Sequence, residues 1–162
     1  LMNGGGQESN WRSGTENVPA IAGLAKALRL LLTDEDQKVA RERAIKQRIY
    51  EHIKTFPKVT IFSQPTDGFA PHILCFTING VRGETIVHAF EDQDVYISTT
   101  SACSSKKHMA SSTLMAMHVP EKVATSAIRI SLDENNTLAE ADQFIKVFDQ
   151  LYKKFSKINA DS

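Results

Sequence analysis

The stretch His72-Ile-Leu-Cys-Phe-Thr-Ile78 decides the architecture that this sequence predicts. It is a short apolar run with β-branched and aromatic residues, and it follows a turn cluster at residues 64–68, which together are typical of a strand. Shorter runs of the same kind predict three further strands. These are Val59-Thr-Ile-Phe62, Val95-Tyr-Ile-Ser98 and Ala127-Ile-Arg-Ile-Ser-Leu132. The chain after Pro57 therefore contains the strands of one small sheet.

Helical patterns separate and follow these strands. Residues 83–91 predict a helix, and Ser111 or Ser112 can cap a short helix that runs to Met117. Thr137 caps a last helix, because Glu140 stands three residues on, as in a capping box. The order β-β-α-β-loop/α-β-α predicts an α/β fold of the α+β sandwich kind, with helices packed on one face of a mostly antiparallel sheet.

The N-terminal third predicts a different organisation. Residues 1–17 form a glycine-rich loop and turn, and residues 18–56 form one linking helix or two with a break near Thr33. Asn17 is the expected N-cap, with Pro19 in the first turn. Residues 57–162 then make the small C-terminal domain. A glycine triplet so near the start is a poor beginning for an independent domain, so we expect a fragment whose N-terminal partner is missing.

Composition excludes several classes of function. The formal net charge is zero, which gives no broad basic field for nucleic acid. No apolar run reaches the roughly 18 residues of a membrane span, and the first residues lack the pattern of a signal peptide. The five histidines show no zinc-like spacing with cysteine, so no metal site is expected. Two unpaired cysteines, Cys75 and Cys103, fit a reducing cytoplasm.

Cys103 lies in Ser101-Ala-Cys-Ser-Ser-Lys-Lys-His108, a polar stretch of small residues directly after a predicted strand. Nearby cations favour the thiolate, which is the nucleophilic form of the side chain. A structural cysteine is the alternative, since free cysteine is often buried. Cys75, in contrast, is expected to be a core residue of its strand.

Four segments occur in an order that resembles the C-terminal part of NifS/IscS-like cysteine desulfurases of the class V aminotransferase fold. They are Gly4-Gly-Gly-Gln-Glu8, Arg12-Ser-Gly-Thr-Glu-Asn-Val-Pro19, Ser101-Ala-Cys-Ser-Ser105 and Ser126-Ala-Ile-Arg-Ile-Ser-Leu132. The resemblance extends from Gly4 to about Phe155, and the cysteine segment is similar to the long-loop group. It implies a pyridoxal phosphate (PLP) enzyme that converts L-cysteine to L-alanine and leaves a persulfide on Cys103.

The resemblance also assigns roles to two further residues. Arg129 alone is open to two interpretations, a structural salt bridge or a substrate contact, and the family places here the arginine that holds the substrate carboxylate. Thr15 in Arg12-Ser-Gly-Thr15 reads as an ordinary turn or as a phosphate contact beside a helix start. In the family this threonine contacts the PLP phosphate of the other subunit of a homodimer.

Several features differ from the family pattern. Thr100 replaces a common glycine, and Ala110 replaces a common proline. The Ser-x-His-Lys segment that carries the Schiff-base lysine has no counterpart, so we expect this chain alone to be inactive. The resemblance implies a sulfur-acceptor protein as partner, in iron–sulfur cluster assembly or tRNA thiolation. A related class V aminotransferase or selenocysteine lyase segment, or a non-enzymatic α/β interaction module, remain the alternatives.

Overall fold

The computed structural model describes residues 3–100 and 110–158. The chain divides into two compact units, residues 1–37 and residues 38–162. Among the described residues no helix is both long enough and apolar enough to cross a membrane.

The first unit contains a small hairpin and a helix. Strands β1 (Gly6–Gln7) and β2 (Arg12–Ser13) pair antiparallel where the sequence predicted only a loop and turn. The Arg12 side chain closes this hairpin by donating from Nε to Glu8 Oε1 at 2.8 Å and from Nη1 to the Gly14 carbonyl at 2.6 Å. Strands of two residues are too short to show an alternating pattern, which explains why the sequence did not indicate them.

Helix α1 (Val18–Leu32) begins as predicted, because the Asn17 side chain accepts a hydrogen bond from the Ala20 N–H at 3.1 Å. None of its residues is buried, and Leu24 is 72% exposed. The predicted break lies at Thr33 and Asp34, where Asp34 has a φ of 57° and the helical path stops. Helix α2 (Glu35–Ile53) follows and crosses the division between the two units.

The second unit is built around a four-stranded sheet that is antiparallel throughout. Its strands are β3 (Val59–Ile61), β4 (Ile73–Ile78), β5 (Ser98–Thr99) and β6 (Ile128–Ser131), in the spatial order β3-β4-β6-β5. The register pairs Cys75 with Arg129 and Arg129 with Ser98. The predicted antiparallel sheet covered by helices is therefore confirmed.

Long helices cover one face of this sheet. Helix α3 (Gly83–Glu91), α2 and α6 (Leu138–Ile158) contribute most of the main core. Phe148 of α6 is fully buried at its centre, with its ring centroid 5.1 Å from that of Phe56. The predicted capping box of α6 is present, since Glu140 N–H donates to Thr137 Oγ1 at 3.3 Å and Glu140 Oε2 accepts from Thr137 N–H at 2.6 Å.

Two short helices lie against the opposite face, which the sequence did not predict to be covered. Helix α4 (Ser112–Ala116) has the expected cap at Ser111, whereas α5 (Glu121–Ala124) was not predicted. Leu114, Ala124 and Ala127 form a second, smaller buried cluster there. Because this cluster is small, part of the sheet face stays open.

The third strand is shorter than predicted. The sequence indicated residues 95–98, but only Ser98 and Thr99 pair with β6. The Val95 N–H donates instead to the Phe90 carbonyl at 3.0 Å, and Asp94 before it has a φ of 56°. Residues 94–97 therefore belong to the connection that follows α3, and pairing with β6 begins only at Ser98.

Candidate active site

The open part of the sheet face forms the floor of a cleft of about 300 Å³ in the second unit. Apolar side chains supply most of its walls, including Phe62 and Leu114. The side chains of Cys75 and Arg129 rise from the sheet into it. A concave apolar site with a single charged group is the usual form of a small-molecule site.

Three side chains form a row across neighbouring strands, and two of them, Cys75 and Arg129, line this cleft. Residues that pair across an antiparallel sheet project from the same face, so Ser98, Arg129 and Cys75 stand side by side on β5, β6 and β4. Arg129 Nη2 donates to Ser98 Oγ at 3.3 Å. Arg129 is thus flanked by a residue with a hydroxyl on β5 and a residue with a thiol on β4. We name these three residues the cross-strand row.

Arg129 differs in one respect from what its apolar neighbours predicted. Ile128 and Ile130 are buried in the main core, but Arg129 alternates to the other face and is exposed. In the described part of the chain no Asp or Glu forms an ion pair with Arg129, so the alternative interpretation, a structural salt bridge, finds no partner there. Its positive charge is available to an external anion.

Cys75 was predicted to be a core residue, and the structure shows it only partly buried, packed against the smaller cluster of Leu114, Ala124 and Ala127 and not within the main core. Leu74 and Phe76 on either side point into the main core, whereas Cys75 is half-buried on the cleft face. Burial raises the pKa of Cys75 to about 11, although the neighbouring Arg129 charge acts in the opposite direction. The thiol is therefore neutral near pH 7 and does not neutralise Arg129.

Buried hydroxyls hold the strands that carry this row. Ser63 Oγ accepts from the Cys75 N–H at 2.7 Å, and Thr77 Oγ1 donates to the Ser126 carbonyl at 3.0 Å. Thr100 forms part of the cleft wall, and its N–H donates to the Ala127 carbonyl at 3.2 Å. Sequence reasoning missed Ser98 and Cys75 as site residues. The alternation of side chains along each strand could have placed them on the same face as Arg129, but only if the register between the strands had been known.

Thr15 lies in the first unit, in the turn between β2 and α1, and its side chain is exposed. The amides at the start of α1 do not form a free anion site. The Val18, Ala20 and Ile21 N–H groups already donate within this segment, and Pro19 has no N–H. The helix start therefore offers no amide to the predicted phosphate contact, and the exposed Thr15 hydroxyl is left to make a single contact to a phosphate oxygen.

Cys103, the predicted nucleophile, lies outside the described residues, as do Lys106, Lys107 and His108. Among the described residues, no group of three or more His, Cys, Asp or Glu side chains is arranged to hold a metal ion.

Comparisons with known proteins agree on one family. The family described as "Aminotransferase class-V" matches residues 3–144. A "NifS/IcsS protein homolog" from Lactobacillus delbrueckii subsp. bulgaricus is 60% identical over 98% of this chain and 41% of its own length. A protein named "Cysteine desulfurase IscS" from Methanosarcina thermophila is 30% identical over 98% of this chain and 39% of its own length.

A solved structure shows the same arrangement of elements. The NifS-like protein from Rickettsia africae superposes with a TM-score of 0.74 at 29% identity, over 94% of this chain and 39% of that one. The chain thus spans about two fifths of the length of the relatives that it matches. With the family match over residues 3–144, the chain belongs to the class-V aminotransferase family.

Proposed function

We propose that this chain is the C-terminal part of a cysteine desulfurase. In the full-length protein, L-cysteine gives up its sulfur to Cys103, which becomes a persulfide, and the remaining carbon skeleton leaves as L-alanine. Relatives named as NifS, IscS or cysteine desulfurase match almost the whole chain, and one of them is 60% identical. This level of identity favours the desulfurase over another class V activity.

The observation that carries the proposal is the exposed guanidinium of Arg129 at the cleft, without an acidic partner in the described part of the chain. A guanidinium offers parallel N–H donors that match the two oxygens of a carboxylate. An amino-acid substrate supplies such a carboxylate. Arg129 therefore binds the α-carboxylate of L-cysteine, and the apolar walls of the cleft exclude water from the remainder of the substrate.

Cys103 receives the sulfur. Its support comes from the sequence, where a single thiol stands among small residues two positions after Ser101 and close to three basic side chains. Such cations stabilise a thiolate. A persulfide on this residue then passes to a sulfur-acceptor protein, for iron–sulfur cluster assembly or for tRNA thiolation in the cytoplasm.

The family is PLP-dependent, and this chain supplies only part of a PLP site. When bound, PLP supplies the electron sink that allows the substrate carbon–sulfur bond to break. Thr15 holds one phosphate oxygen of the cofactor in the partner subunit of a homodimer, through the exposed hydroxyl described above. The Schiff-base lysine is contributed from outside this chain.

Substitution of Cys103 tests the proposal. We expect the full-length protein to release sulfide and L-alanine from L-cysteine in the presence of a mild reductant, and Cys103→Ser to abolish the sulfide. Ser104→Ala removes one oxygen from the neighbouring side chain and serves as the matched control, with activity retained. Undiminished sulfide release by Cys103→Ser would overturn the assignment. Turnover of L-selenocysteine without turnover of L-cysteine would favour a selenocysteine lyase instead.

A further inference from the structure

We propose that Ser98 is a positioning residue that orients the Arg129 guanidinium toward the substrate carboxylate. This inference rests on the proposed function, because it gives Ser98 a role only through Arg129. Ser98 is adjacent to Arg129 in the cross-strand row, and its Oγ accepts from Arg129 Nη2 at 3.3 Å.

The need for such a residue follows from the exposure of Arg129. A long, exposed arginine side chain populates many rotamers, whereas binding a carboxylate through two parallel hydrogen bonds requires one orientation of the guanidinium plane. In the described part of the chain, the bond to Ser98 is the one hydrogen bond that Arg129 donates from its side chain. Ser98 thus holds one edge of the guanidinium and leaves its other donors free.

The chemistry of the neighbours makes this arrangement specific for an external anion. A carboxylate beside Arg129 would also hold it, but would neutralise the charge that the substrate needs. The row offers a hydroxyl on one side and a neutral thiol on the other. The guanidinium is therefore oriented while its charge stays uncompensated, which is the state that favours binding of a free carboxylate.

Steady-state kinetics of the full-length enzyme with L-cysteine test the proposal. Loss of one hydrogen bond of about 1 kcal/mol predicts that Ser98→Ala raises KM about 3- to 10-fold and leaves kcat nearly unchanged. Ser98→Thr keeps the hydroxyl on a strand and should restore KM to within about 2-fold of wild type. Thr99→Ala is the matched control, because it removes a hydroxyl from the next residue, which pairs with buried Ile128.

A double-mutant cycle separates positioning through Arg129 from any independent effect. If Ser98 acts through Arg129, Ser98→Ala raises KM in the wild type but has no further effect when Arg129→Ala is already present. The dissociation constant for the product L-alanine, measured by calorimetry, should follow the same pattern and gives a readout that needs no turnover.

The outcomes distinguish this inference from the function on which it rests. A wild-type KM in Arg129→Ala would overturn the carboxylate role and the inference together. A raised KM in Arg129→Ala with an unchanged KM in Ser98→Ala would overturn the inference alone. Equal effects of Ser98→Ala with and without Arg129 would also overturn it, because the residue would then act by another route.

Discussion

Ser98→Asp places a carboxylate where the structure has a neutral hydroxyl. Side chains directly opposite one another in an antiparallel pair have Cβ atoms about 4.5–5.5 Å apart, so an aspartate at this position reaches the Arg129 guanidinium. The substrate carboxylate must then displace an internal competitor. We therefore expect Ser98→Asp to weaken L-cysteine binding more than Ser98→Ala does.

The magnitude follows from the exposure of the pair. A hydrogen bond to a charged group contributes about 1.5–3 kcal/mol in favourable settings. Arg129 is exposed and Ser98 only half-buried, so solvent screening reduces this to about 1–2 kcal/mol. At tenfold per 1.4 kcal/mol, KM should rise about 5- to 30-fold. The free energy of unfolding should stay the same or rise by up to about 1 kcal/mol, because an opposite-charge cross-strand pair is mildly stabilising.

Kinetics and urea unfolding of the full-length enzyme provide the assay, with Ser98→Asn as the neutral variant of equal size. Asn should raise KM less than Asp, since it does not neutralise Arg129. Equal increases for Asp and Asn would refute the reasoning, because size and not charge would then control binding. A fall in stability that accompanies the increase in KM would refute it as well.

Two further predictions concern the core and the second thiol. Phe148→Ala should lower the free energy of unfolding, measured in urea, by about 3–5 kcal/mol, because Phe148 is fully buried among aromatic rings. Tyr96→Ala is the control, since Tyr96 is 77% exposed and its loss should change this free energy by less than about 0.5 kcal/mol. Similar losses for the two variants would contradict this account of the core. In the Cys103→Ser variant, iodoacetamide should modify folded Cys75 slowly until the pH approaches 11, whereas Cys75 in the denatured chain should react near pH 9. Because folding raises the pKa of this thiol, the stability that the neutral thiol contributes is present below pH 9 and is lost as the pH rises toward 11. Rapid alkylation of the folded protein at pH 8 would show that Cys75 is not shielded.

The elements with strong local signals were predictable from the sequence. The N-cap of α1 and the capping box of α6 were found because Asn17, Thr137 and Glu140 each bond to residues three positions away in the chain. Strand β4 was found because its apolar run is long enough to be distinctive. Helix α5 and the β1–β2 hairpin were not, since elements of two to four residues carry almost no periodic signal.

The site itself depends on information that a single strand does not contain. The sequence identified Arg129, but its exposure depends on which face of the sheet lacks a long covering helix. The same limit applies to Cys75, whose position on the cleft face follows from the register with β6. Ser98 and Arg129 are 31 residues apart in the chain, and they become neighbours only because β5 pairs with β6. Long-range register is set by the fold as a whole, and local patterns do not specify it.

The most direct test of the central claim is the chemical state of Cys103 after reaction. The full-length protein is incubated with L-cysteine in the absence of reductant, blocked with an alkylating agent and digested, and the peptide that contains Cys103 is examined by mass spectrometry. We predict that this peptide gains the mass of one sulfur atom, that reductant reverses the gain, and that the peptide containing Cys75 shows none. A Cys103 peptide of unchanged mass in a protein that produces L-alanine would contradict the account.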